Sequence, residues 1–288
     1  MWIVLSFGSA FFAGITAILA KIGIKNTDSH VATAIRTIVV LVFSWILVFM
    51  IGSQNTLVNL DVKSLLFLLF SGLTAGASWL CYFRALQWGD VNKVTPIDKS
   101  STVLTMILAF ILLGEPVTPW KLWGMILMGI GTYFMIAKQK TTVVSPKNNI
   151  WLLFAGLSAV FASLTSILGK FGMQNIESNL GTAIRTIVVL IMAWMIVFIR
   201  GKQGNIKHID KKSWIFILFS GITTGMSWLC YYKALQDGQA SIVVPIDKLS
   251  IVLTVMFASF VLKEKLSKKG YIGFVFIVIG TLLLLVRI

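Results

Sequence analysis

Apolar positions fall in long blocks along this chain, as from Ile35 to Ile51 and from Ser101 to Leu113, and short polar gaps divide them. A helix advances about 1.5 Å per residue, so roughly 20 apolar residues in a row match the ~30 Å hydrocarbon core of a bilayer. Ten segments meet that length, at about 2–24, 31–51, 64–86, 92–113, 119–137, 150–172, 180–199, 214–235, 241–262 and 270–287. The pattern predicts an all-α membrane protein with ten transmembrane helices. The first segment has neither a basic leader nor a small-residue cleavage site, so it reads as a span and not as a signal peptide.

The segments form two sets of five. Thr33-Ala34-Ile35-Arg36-Thr37-Ile38-Val39-Val40-Leu41 recurs without a mismatch as Thr182-Ala183-Ile184-Arg185-Thr186-Ile187-Val188-Val189-Leu190. The same offset of 149 superimposes Trp2 on Trp151, Lys21 on Lys170, Trp79 on Trp228, Asp98 on Asp247 and Glu115 on Glu264, with no gap. The chain divides into a first repeat, 1–139, a linker, 140–149, inside the polar stretch Lys138 to Asn149, and a second repeat, 150–288. Five is odd, so the second repeat must enter the membrane from the opposite side. The expected architecture is two inverted-topology five-helix repeats with a site near the midplane where they meet.

Charge tests the inversion. Of the 25 Lys and Arg, six fall in loops on the side holding the termini and 17 on the other; Arg36 and Arg185 fall one on each side. The favoured loops switch between the halves, as inversion demands. By the positive-inside rule, both termini face outward from a cell (plasma) membrane. The net charge of +15 is explained by these loops, and the aromatic residues lie inside apolar segments, so no nucleic-acid partner is expected. With 57% hydrophobic and only 12% charged residues, the chain is far too apolar for a soluble domain. Cys81 and Cys230, at matching repeat positions in apolar surroundings, read as packing residues and not as a disulfide or metal site.

The five-plus-five plan, the Leu113-Gly114-Glu115-Pro116 turn after the fourth segment and its weaker copy Leu262-Lys263-Glu264-Lys265 resemble the EamA-type drug/metabolite transporter superfamily. The chain looks like two of that family's short single-repeat members fused head to tail. The resemblance covers essentially the whole chain and implies a transporter. Two departures stand out: many relatives carry their fourth-helix proline deeper than Pro96 and Pro245, and two-repeat relatives are usually described with cytoplasmic termini.

The strongest candidate chemistry is Pro96-Ile97-Asp98-Lys99, repeated as Pro245-Ile246-Asp247-Lys248. If their helices start near Asn92 and Ser241, these charges lie two turns inside a span. There they cost several kcal/mol unless they pair, snorkel or line a wet cavity. A proline just upstream removes a backbone donor and opens the helix locally. The competing structural account starts the helix at Pro96, with Asp98 at its positive end and Lys99 reaching the headgroups. Arg36 and Arg185 suit an anionic group bidentately; equally, they reach an interface or pair with Asp28 and Glu177. Ser78, Trp79 and Tyr82, matched by Ser227, Trp228 and Tyr231, form a face that lines a cavity or simply packs. Gly72 and Gly76, Gly221 and Gly225, and the pairs Gly124/Gly131 and Gly273/Gly280 read as packing seams. Glu115 and Glu264 read as caps or loop tethers, and Lys21 and Lys170 as interface anchors.

The expected function is secondary transport, as an exporter or exchanger, of a small polar or zwitterionic metabolite such as an amino acid, by alternating access between the two repeats. The two Asp-Lys motifs meeting near the axis would supply two acidic and two basic groups. Asp98 and Asp247 are also the candidates for proton coupling. A second reading is a flippase or binding subunit for a lipid-linked phosphate headgroup held by Arg36 and Arg185; a third is a non-transporting structural membrane protein. No enzyme activity, metal or cofactor is expected: His30 and His208 lie in loops and are not repeat-equivalent. The expected partners are a small-molecule solute, membrane lipids and a second copy in a homodimer.

Overall fold

The computed structural model describes residues 1–23, 27–88, 94, 97–136, 150–260 and 267–286, and among these it is helical with no strand. The first half carries α1 (Trp2–Gly23), α2 (Ser29–Ile51), α3 (Val62–Trp88), α4 (Ser101–Leu112) and α5 (Pro119–Ile136). The second carries α6 (Ile150–Met173), α7 (Ser178–Ile199), α8 (Lys211–Asp237), α9 (Ala240–Asp247), α10 (Ser250–Phe260) and α11 (Lys268–Leu283). Short 3-10 turns, Ser53–Asn59 and Gln203–His208, follow α2 and α7. Among the described residues, seven helical stretches are long and apolar enough to cross a membrane, with α9 and the start of α10 counted as one, Ala240–Phe257. Described over 12 and 16 residues, α4 and α11 fall short of that length. Large apolar side chains face outward along the spans, among them Phe49, Phe70, Ile111, Tyr133, Ile191, Phe198 and Phe219. Such a continuous apolar exterior suits a lipid solvent.

The repeat is visible in how helices begin. Asp28 accepts hydrogen bonds from the His30 and Val31 amides, and its equivalent Glu177 accepts from those of Asn179 and Leu180. Both caps satisfy amides with no partner inside the first turn. Asp61 and Asp210 likewise accept from Lys63 and Ser213. The reading of Asp28 and Glu177 as partners for the arginines is therefore corrected: both carboxylates are committed to helix starts. His30 is also corrected, from loop to the first turn of α2, where it packs edge-on against Phe83 at 4.3 Å.

Helices of one half pack on those of the other, and exchanging the halves maps each contact onto another. α3 lies along α6 and α1 along α8, while α2 faces α7 and α5 faces α11. Gly72 sits against Val188 and the Arg185 carbonyl; Gly221 sits against Val39 and the Arg36 carbonyl. α5 and α11 cross antiparallel, Gly124 against Gly280 and Gly131 against Gly273. A Cβ built on Gly124 or Gly131 would lie 2.6 or 2.7 Å from the facing carbonyl oxygen. These glycines form the seams their spacing predicts. The core is shared between the halves: Val48, Leu68 and Ala109 pack in one cluster with Ile167, Met173 and Val243.

The segment expected as one helix at 241–262 is broken. α9 ends at Asp247, Lys248 and Leu249 form a turn, and α10 resumes at Ser250. Pro245 lies inside α9, so the Ser241 carbonyl loses its i+4 donor. The next bonds tighten to i+3, from the Lys248 amide to the Pro245 carbonyl at 3.0 Å and from Leu249 to Ile246 at 2.9 Å. In the first half, Ile97, Asp98 and Lys99 are helical, Ser100 is a turn and α4 follows; Pro96 lies outside the described residues. A helix start at the proline is thus ruled out for the second half, where Asp247 sits two turns in, at the break.

Candidate solute site

Between the halves lies a cavity of about 340 Å³. Its walls include Ser78 and Trp79 from α3, Thr165 and Ser166 from α6, Arg185 from α7, Ser227, Trp228, Tyr231 and Tyr232 from α8, and Asp247 with Lys248 at the break. That volume lies in the range of small-ligand sites, and the mix of indole, hydroxyl and a few charges is what such sites use. Eight of the twelve residues singled out from sequence line this one space. Asp98, Lys99, Tyr82 and Arg36 do not.

The Asp-Lys motifs are tied across the halves. Ser9 of α1 donates to Asp247 Oδ1 at 2.6 Å, and its repeat equivalent Ser158 of α6 donates to Asp98 Oδ1 at 2.6 Å. Each serine is fully buried and lies 3.3 Å from the hydroxyl of a cavity serine, Ser227 or Ser78. Ser158 has one proton and three acceptors in reach, the Ser78 carbonyl, the Ser78 hydroxyl and Asp98; the carboxylate is the strongest acceptor. Lys248 Nζ lies 3.5 Å from Asp247, and Lys99 Nζ lies 3.7 Å from Asp98. Both lysine side chains are about half exposed (Lys99 56%, Lys248 45%) while both carboxylates are 16% exposed. Within each motif the lysine is the more exposed of the pair, and Asp247 and Lys248 both line the cavity.

The aromatic face divides. Trp79 and Trp228 both line the cavity. Tyr231 donates to Ser166 Oγ at 2.9 Å within it, whereas Tyr82 packs among Ala85, Val94 and Ala155. The cysteines are free and half-buried.

The two arginines differ most. Arg185 is 3% exposed, which excludes snorkelling. Its Nε donates to Ser71 Oγ at 3.0 Å, and its guanidinium lies over Trp228 at 5.4 Å and Tyr232 at 4.8 Å. Arg36 is half-buried and lines a separate recess of about 160 Å³ with His30, Thr33, Trp79 and Phe83.

A larger recess of about 430 Å³ adjoins Trp2, Glu115, Lys170 and Gln239. Glu115, Lys170 and Gln239 there are already bonded. Glu115 accepts from the Ala240 amide at 2.6 Å and the Ser241 amide at 2.9 Å, capping α9 from the opposite half. Lys121 donates to Gln239 Oε1 at 2.6 Å and to the Pro116 carbonyl at 2.9 Å. Lys170, expected as an interface anchor, instead donates to the Leu235 carbonyl at 2.9 Å and to that of Gly238. The tether reading of Glu115 is what the geometry shows; Glu264 lies outside the described residues. The central cavity, which gathers eight of the sequence-predicted residues and holds an unpartnered Arg185 Nη1, is therefore the candidate carried forward.

Sequence reasoning missed Ser9, Ser158, Ser71 and Tyr232. For the serines a signal existed: Ser9 and Ser158 are polar intruders at equivalent positions of apolar helices.

The model of the EamA-like transporter family matches residues 1–137 and 149–286. The chain belongs to this family. Among curated relatives, an uncharacterised transporter in the cobO 3′ region of Sinorhizobium sp. is 43% identical over 136 residues, 47% of this chain and 96% of that protein. An uncharacterised transporter of Synechocystis sp. is 24% identical over 213 residues, 70% of this chain and 59% of that protein. A crystal structure is similar in fold, with a TM-score of 0.79 and 15% identity over 99% of this chain and 98% of its own. The family is one of transporters, and the long apolar helices suit a multi-pass membrane protein.

Proposed function

We propose that this EamA-like protein is a secondary transporter, working as an exporter or exchanger for a small polar or zwitterionic metabolite such as an amino acid. Ten spans form two inverted five-helix repeats, 1–139 and 150–288, which rock about the central cavity and expose it to each side in turn. The observation that carries this reading is that cavity, where Trp79, Trp228 and the hydroxyls of α3 and α8 meet the acid, lysine and arginine of the second repeat. Support for the inversion comes from the exchange pattern of helix contacts and the antiparallel crossing of α5 on α11. The helix break at Asp247 adds to it, since discontinuous helices at a repeat interface are a recurring transporter device.

Thermal-shift screening of the purified protein against amino acids, polyamines, sugars and phosphorylated metabolites tests the site. A ligand that stabilises the wild type and binds Asp247→Asn and Trp228→Ala about tenfold more weakly supports it. A ligand bound equally by all three removes it. Asp98 and Asp247 are the proton-coupling candidates; pH-gradient-driven uptake that survives Asp98→Asn combined with Asp247→Asn in proteoliposomes removes that role. A cell (plasma) membrane location with both termini outside follows from the charge bias, and impermeant labelling of terminal tags on intact cells checks it.

A further inference from the structure

Arg185 lines the central cavity although it is almost fully buried, and among the described residues its charge has no counterion. Its Nε is spent on Ser71, its Nη1 has no hydrogen-bond partner, and two aromatic faces hold the guanidinium. Among the described residues no carboxylate lies within ion-pair distance of it. Glu177, the nearest acid in sequence, is occupied capping α7. The cavity's own acid, Asp247, is engaged by Ser9 and Lys248. Arg185 and Lys248 against Asp247 leave the cavity lining with one net positive charge. A buried, uncompensated arginine inside a span is costly, and aromatic faces offset only part of that cost.

Resting on the central cavity as the solute site, the geometry points to Arg185 as the subsite for a carboxylate group of the transported solute, and we propose that a carboxylate is what the solute must carry. One carboxylate balances the one unmatched charge. A phosphate dianion would overshoot it, because Lys248 is already paired with Asp247 3.5 Å away. The subsite is single in this conformation. Arg36 has Phe83 where Arg185 has Tyr232, and it lies in its own recess, so the duplication does not supply a second copy. A ring-flanked guanidinium offers planar, directional donors that match a carboxylate, which favours a carboxylate over a neutral amide.

The test uses the full chain purified in detergent, with binding read by tryptophan fluorescence and thermal shift. The probes are the L-amino acids, their α-amino amides, the corresponding primary amines, acetate, succinate and inorganic phosphate. Carboxylates are expected to bind, and converting the best of them to its amide to weaken Kd by about tenfold, as when a charge-assisted pair becomes a neutral one. The same acid-to-amide step should change Kd by less than about threefold in Arg185→Gln, with Arg185→Lys in between. If Arg185→Gln fails to fold, the acid–amide comparison on the wild type decides alone. An amide or amine bound as tightly as the acid, or phosphate bound more tightly than every carboxylate, overturns the subsite and leaves the cavity reading standing. If no probe binds, or the best one binds Trp228→Ala undiminished, the cavity reading falls and the subsite with it.

Discussion

Glu115 joins the two halves through a contact whose removal has a calculable effect. Its carboxylate, 8% exposed, accepts from two successive amides at the start of α9. Gln239 at the N-cap of α9 makes no side-chain cap bond, so among the described residues Glu115 supplies the acceptor there. Glu115→Ala strands two buried donors, at about 1–3 kcal/mol each when unsatisfied, and loses an anion from a helix N-terminus, worth up to ~2 kcal/mol. Partial rehydration through the adjoining recess offsets some of this, so a net loss of about 3 kcal/mol is expected. At roughly 2 °C per kcal/mol for a chain of this size, the unfolding midpoint in detergent should fall by about 6 °C. Glu115→Gln keeps one acceptor oxygen but turns an NH2 toward the second amide, and should fall by about half as much. Gln203→Ala, on an exposed turn, is the control and should not move the midpoint. A second readout separates tethering from general weakening. With Cys81 and Cys230 replaced by Ala, a cysteine introduced by Ser241→Cys, at a position that is fully buried, should react with maleimide faster in the Glu115→Ala background. Unchanged midpoint and unchanged labelling would refute the reasoning.

At the α5–α11 seam, Gly131→Val places a Cβ 2.7 Å from the Gly273 carbonyl and 2.9 Å from the Ile277 amide. Backbone cannot yield as a side chain does, so a loss of about 1–3 kcal/mol and a lower midpoint are expected. Gly156→Ala, with nothing near its built Cβ, is the matched control and should be neutral on the same assay. Ser9→Ala removes the donor to Asp247 and should weaken solute binding and lower stability by about 1.5–3 kcal/mol, the usual worth of a charge-assisted hydrogen bond. Ser158→Ala, which strips the same bond from Asp98 outside the cavity, should lower stability alike yet leave the equilibrium dissociation constant within about twofold.

How much the chain disclosed in advance depends on which force fixed each feature. Spans were legible because a hydrocarbon solvent imposes length and composition directly on the sequence, and α1, α2, α6 and α7 begin and end within about three residues of their apolar runs. The tether was half legible. Glu115 follows a turn and reads as a cap, but that it caps α9 across the interface depends on packing between residues 125 positions apart. The exit of the chain at Asp247 was foreshadowed by Pro245, since a missing amide acts locally whatever surrounds it. Local chemistry is readable from local sequence; what two distant helices do to each other is not.

The arginines carry this furthest. Nine residues around Arg36 and Arg185 are identical, so nothing in them distinguishes the two. Their neighbours do. Ser71 turns its hydroxyl across the interface to the Thr165 carbonyl and accepts from Arg185, whereas its equivalent Ser220 bonds the Ile217 carbonyl of its own helix. Tyr232 is 3% exposed beside Arg185, and its equivalent Phe83 is only half-buried beside Arg36. A duplicated chain can match residue for residue and still hold its two halves in different arrangements, because packing between halves has more than one solution of similar energy. The inequality of the two arginine sites is what the proposed rocking of the repeats expects of a conformation open to one side. The repeat therefore names candidate residues in pairs, and only the packed structure says which member of each pair lines the central cavity.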